Sequence, residues 1–136
     1  MTEVSQWLRR GTIAVAAGRV ALGVTALARP GVPARPWVGK TAADGVAAKV
    51  FGRALGARDL ALGLGALAVL NDSTADQGAA SLWVAAGALS DALDVATSAA
   101  SWRELPELTR WLVAASAGGA ALVGAAGAFA VRQKTS

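Results

Sequence analysis

Six ionisable side chains, Arg19, Arg53, Arg58, Asp59, Asp91 and Asp94, stand within stretches that are otherwise apolar. On a membrane-spanning helix such a group costs about 2.5–3.5 kcal/mol on insertion scales, so it is expected to be paired or to face a cavity, and it counts as a candidate site residue by default. Two chemistries suit this set. The guanidinium forks of Arg19, Arg53 and Arg58 can hold the carboxylate or phosphate head of an amphipathic ligand by paired hydrogen bonds, with Asp59, Asp91 and Asp94 completing the ligand-binding set. Alternatively, Asp91 and Asp94, three positions apart on one helix face, form a coupled acid/base pair with Arg58 orienting a carboxylate and stabilising developing negative charge. That catalytic trio fits epoxide hydrolysis, isomerisation or cyclisation of a lipophilic substrate, and the sequence does not choose among them. A third activity, proton- or ion-coupled transport through Asp91 or Asp94, requires oligomerisation, because four short spans are few for a transport path. The structural counter-reading is an ionic clamp, in which Arg–Asp links set helix register and rotation and nothing else.

Composition narrows the classes. The chain has 136 residues, 54% hydrophobic and only 16% charged, whereas soluble domains carry about a quarter charged residues. Much of the apolar share is Ala and Gly, so a soluble Ala-rich helical bundle competes with a membrane protein. The net charge is +4, but the 13 basic residues are dispersed and form no patch interleaved with aromatics, which argues against nucleic acid. No Cys, His or Tyr is present, which removes thiol chemistry, disulfides and the usual zinc, haem and iron–sulfur ligand sets. No metal and no cofactor is expected.

Four elements must position the ionisable groups. Trp111 to Val131 is a run of 21 residues without a charged side chain, long enough to cross a bilayer. The spans are expected at about 11–29, 48–70, 78–100 and 109–131, making one membrane domain over 1–136, an all-α, four-transmembrane-helix antiparallel bundle. Arg29-Pro30-Gly31 with Pro33 and Pro36 should stop the first span and leave a loop of about ten residues. Thr41-Ala-Ala-Asp44 and Thr74-Ala-Asp-Gln77 have the form of capping boxes that start the second and third helices, near Ala42 and Thr74. Pro106 suits the first turn of the fourth, which is expected to end at Arg132-Gln-Lys134. Trp7, Trp37, Trp83, Trp102 and Trp111 fall near span ends, where an amphipathic ring favours the headgroup region. Close packing is encoded by Gly52-x-x-x-Gly56, by Ser116, Ala120, Gly124 and Ala128, and by Ala80, Val84, Ala88, Ala92 and Ala96. Ala17 to Ala28 and Ala57 to Ala68 look alike, a hint of a repeat that Ala/Leu/Gly bias could also produce. Arg9-Arg10 ahead of an apolar stretch ending Ala26-Leu27-Ala28 resembles a signal peptide, against which Arg19 speaks.

Counted from the nearest expected boundary on one side, Arg19 lies ten residues deep, Arg58 and Asp59 about nine, and Asp91 and Asp94 ten and seven. Three helices should therefore bring five charges to a common level, with Arg53 shallower. Arg58 projects about 140° from Arg53 around its helix, so Arg53 either meets another neighbour or snorkels outward. The connections 29–49 and 102–110 carry six basic residues and the opposite side four, a lean toward the first side facing the cytoplasm.

The run Phe51-Gly-Arg-Ala-Leu-Gly-Ala-Arg-Asp-Leu-Ala-Leu-Gly-Leu-Gly65, followed by Asp91-x-x-Asp94, resembles small four-helix actinobacterial integral membrane proteins of unknown function with a Gly-Arg, Arg-Asp-Leu and Asp-x-x-Asp pattern. The resemblance covers about half the chain, 50–96. It implies four spans and shared charged positions, and it carries no activity. The partners expected are the lipid bilayer, a lipophilic small molecule, and either a second copy or a partner membrane helix. The location expected is the cell membrane, with several passes.

Overall fold

The computed structural model describes residues 3–72 and 74–132 of the chain. Lys134, part of the basic flank expected after the fourth span, lies outside them. Six helices follow in order: α1 (Glu3–Ala28), α2 (Gly31–Val38), α3 (Lys40–Ala43), α4 (Val46–Asn71), α5 (Gln77–Ala100) and α6 (Glu107–Arg132). The long helices α1, α4, α5 and α6 form an all-α four-helix bundle, and each is long and apolar enough to cross a membrane. The main packed pairs are α1 with α4 and α5 with α6; α1–α6 and α4–α5 contacts close the ring.

The α1–α4 seam follows from residue size. Buried positions on α1 run Thr12, Ala16, Arg19, Gly23, Ala26, and on α4 Gly56, Asp59, Gly63, Ala66, alternating steps of four and three. That is a heptad seam, and small residues in it let backbones touch. A Cβ on Gly23 would lie 2.6 Å from the Gly56 carbonyl oxygen, and one on Gly63 2.7 Å from the Ala16 carbonyl oxygen. These two contacts are reciprocal under the 40-residue offset that separates Arg19 from Asp59. Ala16 and Gly56 are equivalent, as are Gly23 and Gly63. The similarity between 17–28 and 57–68 thus coincides with a local two-fold arrangement of antiparallel α1 and α4, with Arg19 facing its own counterpart, Asp59. Each of the two helices also lends an arginine to the other's C-terminal carbonyls, which lack helical partners: Arg53 Nε donates to Leu27 O (3.3 Å) and Arg9 Nη2 to Leu70 O (2.9 Å).

The α5–α6 contact is of the same kind, with a Cβ on Gly124 placed 2.9 Å from the Ala88 Cβ and Ser81 Oγ donating to Ala128 O (3.2 Å). The small-residue line expected on α5 drifts off the interface. Ala80 and Val84 are buried, but Ala92 and Ala96 are exposed. Steps of four advance 400° and rotate 40° away each time, so the buried line instead passes through Gly87, Asp91 and Ser98.

The ends depart from expectation at three places. The segment after Pro30 is the short helix α2, not a loop. Pro33 sits in its first turn, and Pro36, although inside, leaves its carbonyl to accept from Thr109 Oγ1 (2.5 Å). Asp44 does not cap the second long helix, because its carboxylate pairs with Arg35 (3.2 Å); α4 starts after Gly45, at Val46. On α5 the cap is Asp76, whose Oδ2 accepts from Ala79 N (2.8 Å), while Thr74 donates its amide and hydroxyl to Asp72. Those two bonds hold the Asp72 carboxyl below the usual carboxylate range. The cap is worth about 1 kcal/mol, so Asp76→Ala should lower the melting midpoint measurably while Thr74→Ala moves it less. Equal shifts would contradict the assignment.

The distribution of side-chain size is inverted relative to a water-soluble bundle. No large side chain is fully buried among the described residues, and the apolar core is Ala16, Ala26, Ala43, Ala66, Ala80, Val84 and Ala128. Leu89, Leu93, Leu122 and Phe129 point outward, 56–75% exposed.

Candidate intramembrane ion network

Arg19 occupies a seam position of α1 flanked by Ala16 and Gly23, so its side chain passes between close-packed backbones to the middle of the bundle. Only 9% of it is exposed. There Nη1 donates to Asp59 Oδ1 of α4 (2.6 Å), and Nη2 reaches both Asp91 Oδ1 and Gly87 O of α5 (2.6 Å each). Asp59 Oδ1 is shared with Arg58 Nη2 (3.4 Å), and Arg58 in turn holds Asp94 with both terminal nitrogens (3.1 and 2.7 Å). The result is an unbroken alternation across three helices, Asp91–Arg19–Asp59–Arg58–Asp94. Burial of this kind is tolerable only where each charge meets an opposite one in good geometry.

Five of the six sequence candidates therefore meet, at the common level their spacing implies. Arg53 does not join them. It is exposed, three residues before the seam glycine Gly56 of α4, and it serves the end of α1. The balance consequently changes from the expected three against three to two guanidiniums against three carboxylates.

The two ends of the network differ. Arg19, Asp59 and Asp91 are sealed, with side chains 9–12% exposed, whereas Arg58 and Asp94 reach 32% and 19%. This open end lies where α4 meets α5, and Arg58 stands near the middle of α4. Four buried polar atoms of the described residues have no hydrogen-bond partner: Asp91 Oδ2, Arg58 Nε, Ser90 Oγ and Ser98 Oγ.

Beside the sealed end is a cleft of about 20 Å³, room for about one water molecule. Arg19 and Asp91 border it together with Thr12, Trp83, Val84 and Ala120. Sequence spacing marked Ala120 as a close-packing position and gave no sign of Thr12. Trp83 lies in the second turn of α5, near the expected span end, and its indole ring also lies against Gly65 of α4. Helix α6, uncharged over 111–131, supplies no charge to the network and contributes small walls, Ala120 and Gly124. No cluster of three or more metal-ligating carboxylates is found among the described residues.

These features define an all-α bundle of four membrane-length helices crosslinked by buried Arg–Asp salt bridges. No family model, no curated protein and no solved structure matches the chain.

Proposed function

We propose that this is a multi-pass integral protein of the cell membrane whose Arg/Asp network forms the polar floor of a site for a lipophilic or amphipathic small molecule. The membrane reading rests on the inverted core. With water outside, exposing Leu and Phe while burying Ala, Gly, Ser and Thr forfeits the hydrophobic effect, whereas in lipid the same choice gives close backbone packing at no such cost. The observation that carries the site is the Arg58–Asp94 pair, partly open near the middle of α4. An ion pair left open to hydrocarbon is costly, and a molecule with a polar head and an apolar body would cover it.

Two other readings have their own support. The saturation of Arg19 and the small cleft favour a structural clamp. The unpartnered oxygen of Asp91 and the network joining it to Asp94 favour acid/base chemistry, with Asp91, Asp94 and Arg58 as the acting groups. The family resemblance of segment 50–96 would extend any of these readings to other chains that keep the same charged positions.

Native mass spectrometry of the purified protein is expected to find a co-purifying lipophilic molecule, and Arg58→Ala should lose it at unchanged helix content. Retention by Arg58→Ala, or no ligand under any lipid condition, favours the clamp.

A further inference from the structure

We infer that the polar head of the bound molecule is a hydrogen-bond donor, an alcohol or an amine, and not the carboxylate or phosphate that three intramembrane arginines suggest. The inference rests on the ligand-site reading above and extends it from the partly open Arg58–Asp94 pair along the network to Asp91 at the sealed end, where the cleft lies. Three observations carry it.

The first is occupancy. A carboxylate or phosphate is gripped by two parallel N–H groups of a guanidinium. Arg58 already spends Nη1 and Nη2 on Asp94, and Arg19 spends Nη1 on Asp59 and Nη2 on Asp91 and Gly87 O. Arg53, the remaining candidate, is turned to Leu27 O outside the network. Among the described residues the buried guanidinium nitrogen without a hydrogen-bond partner is Arg58 Nε, a single N–H that presents no fork.

The second is charge. With Arg53 outside, three carboxylates face two guanidiniums, so an anionic head would add to an existing excess of negative charge in a low-dielectric interior. A neutral hydroxyl adds none, and an ammonium group offsets it.

The third is the open valence itself. Asp91 is 8% exposed, its Oδ1 is held by Arg19, and its Oδ2 has no partner. A buried carboxylate oxygen without a donor carries an unrelieved desolvation cost, so an O–H or N–H delivered to it gains more than the same group gains in water. Asp91 and Arg19 border the cleft, and its apolar walls include Val84, Trp83 and Ala120, which are suited to the carbon atoms next to such a head. The cleft as it stands holds a head group only, so the apolar tail must lie toward lipid.

The test uses the full chain in phosphatidylcholine nanodiscs with three radiolabelled probes of one chain length, 1-decanol, decylamine and decanoate. Saturable binding is measured above protein-free discs. Decanol or decylamine is expected to bind saturably, and decanoate not at all. The pattern separates the two donor sources: decanol alone identifies a hydroxyl head, decylamine alone an ammonium head. Asp91→Asn should weaken binding about tenfold or more, and Asp91→Glu should restore part of it. Because Asp91→Asn can also disturb the bundle, Ala120→Leu, which narrows the cleft without touching any charge, should block the same probes. Saturable decanoate binding overturns the donor-head inference and leaves the ligand site standing. Decanol or decylamine binding indifferent to Asp91→Asn and Ala120→Leu also overturns it. If none of the three probes binds saturably, the ligand-site reading falls with it.

Discussion

Arg19→Ala is expected to destabilise the bundle by about 3–5 kcal/mol, the largest effect of any single change considered, because it strands two carboxylates at once. Asp59 and Asp91 both depend on Arg19, at 2.6 Å each, with side chains 11% and 12% exposed. Asp59 keeps a longer contact to Arg58 at 3.4 Å, and Asp91 keeps nothing comparable. Arg19→Lys should recover only part of the loss, since one ammonium group cannot reproduce a planar fork that reaches Asp59, Asp91 and Gly87 O together. The decisive comparison is the triple change Arg19→Met, Asp59→Asn, Asp91→Asn. Neutralising both stranded carboxylates should return most of the stability, because an apolar replacement for a buried ionic group is often neutral or better once no charge is left alone. Unfolding in mixed micelles, followed by tryptophan fluorescence, measures all three. A triple variant as unstable as Arg19→Ala would mean that the Arg19 stem holds the helices by packing and that the network is secondary.

The chain shows why some of this was legible in the sequence and some was not. Charges inside apolar runs announce themselves by cost, and the rise per residue places them at a common level, so the meeting of Arg19, Arg58, Asp59, Asp91 and Asp94 could be read from spacing alone. Arg53 could not be assigned in the same way. Whether a long side chain turns inward or toward its helix end depends on which carbonyl comes within reach, here Leu27 O. The same limit applied to Asp44 and Thr74, which carry the residue types of helix caps but found nearer partners in Arg35 and Asp72. Side chains of Asp and Thr bond whichever donor or acceptor tertiary structure brings first. The helix at Gly31–Val38 was masked by Pro33 and Pro36, because a proline count does not reveal that one falls in a first turn. The apparent repeat is the reverse case. Low-complexity similarity means little until contacts are known, and it gains meaning when the equivalent positions Ala16 and Gly56, Gly23 and Gly63 touch reciprocally.

That reciprocity leads to the second large effect, in the glycines of the α1–α4 seam. Gly23→Ala should cost about 1–3 kcal/mol although it improves helix propensity, because the added methyl meets backbone and not a side chain that could move aside. The obstacles are the Gly56 carbonyl oxygen at 2.6 Å and Leu60 N at 2.7 Å. Gly63→Ala meets the Ala16 carbonyl oxygen at 2.7 Å and Val20, and under the local two-fold arrangement it should cost a similar amount. Gly18→Ala is the matched control one turn away. No atom lies within 4 Å of its Cβ position, so it should be neutral or gain up to about 1 kcal/mol from helix propensity. Gly23→Leu goes further, since relieving the clash means separating α1 from α4 one turn from Arg19 and Asp59, whose 2.6 Å contact tolerates little separation. Its loss should therefore exceed the packing term and approach that of Arg19→Ala, and the two changes combined should cost less than their sum, because both break the same link. Full additivity would show that the backbone seam and the ion network are independent, and the bundle would then owe its register to the glycines alone.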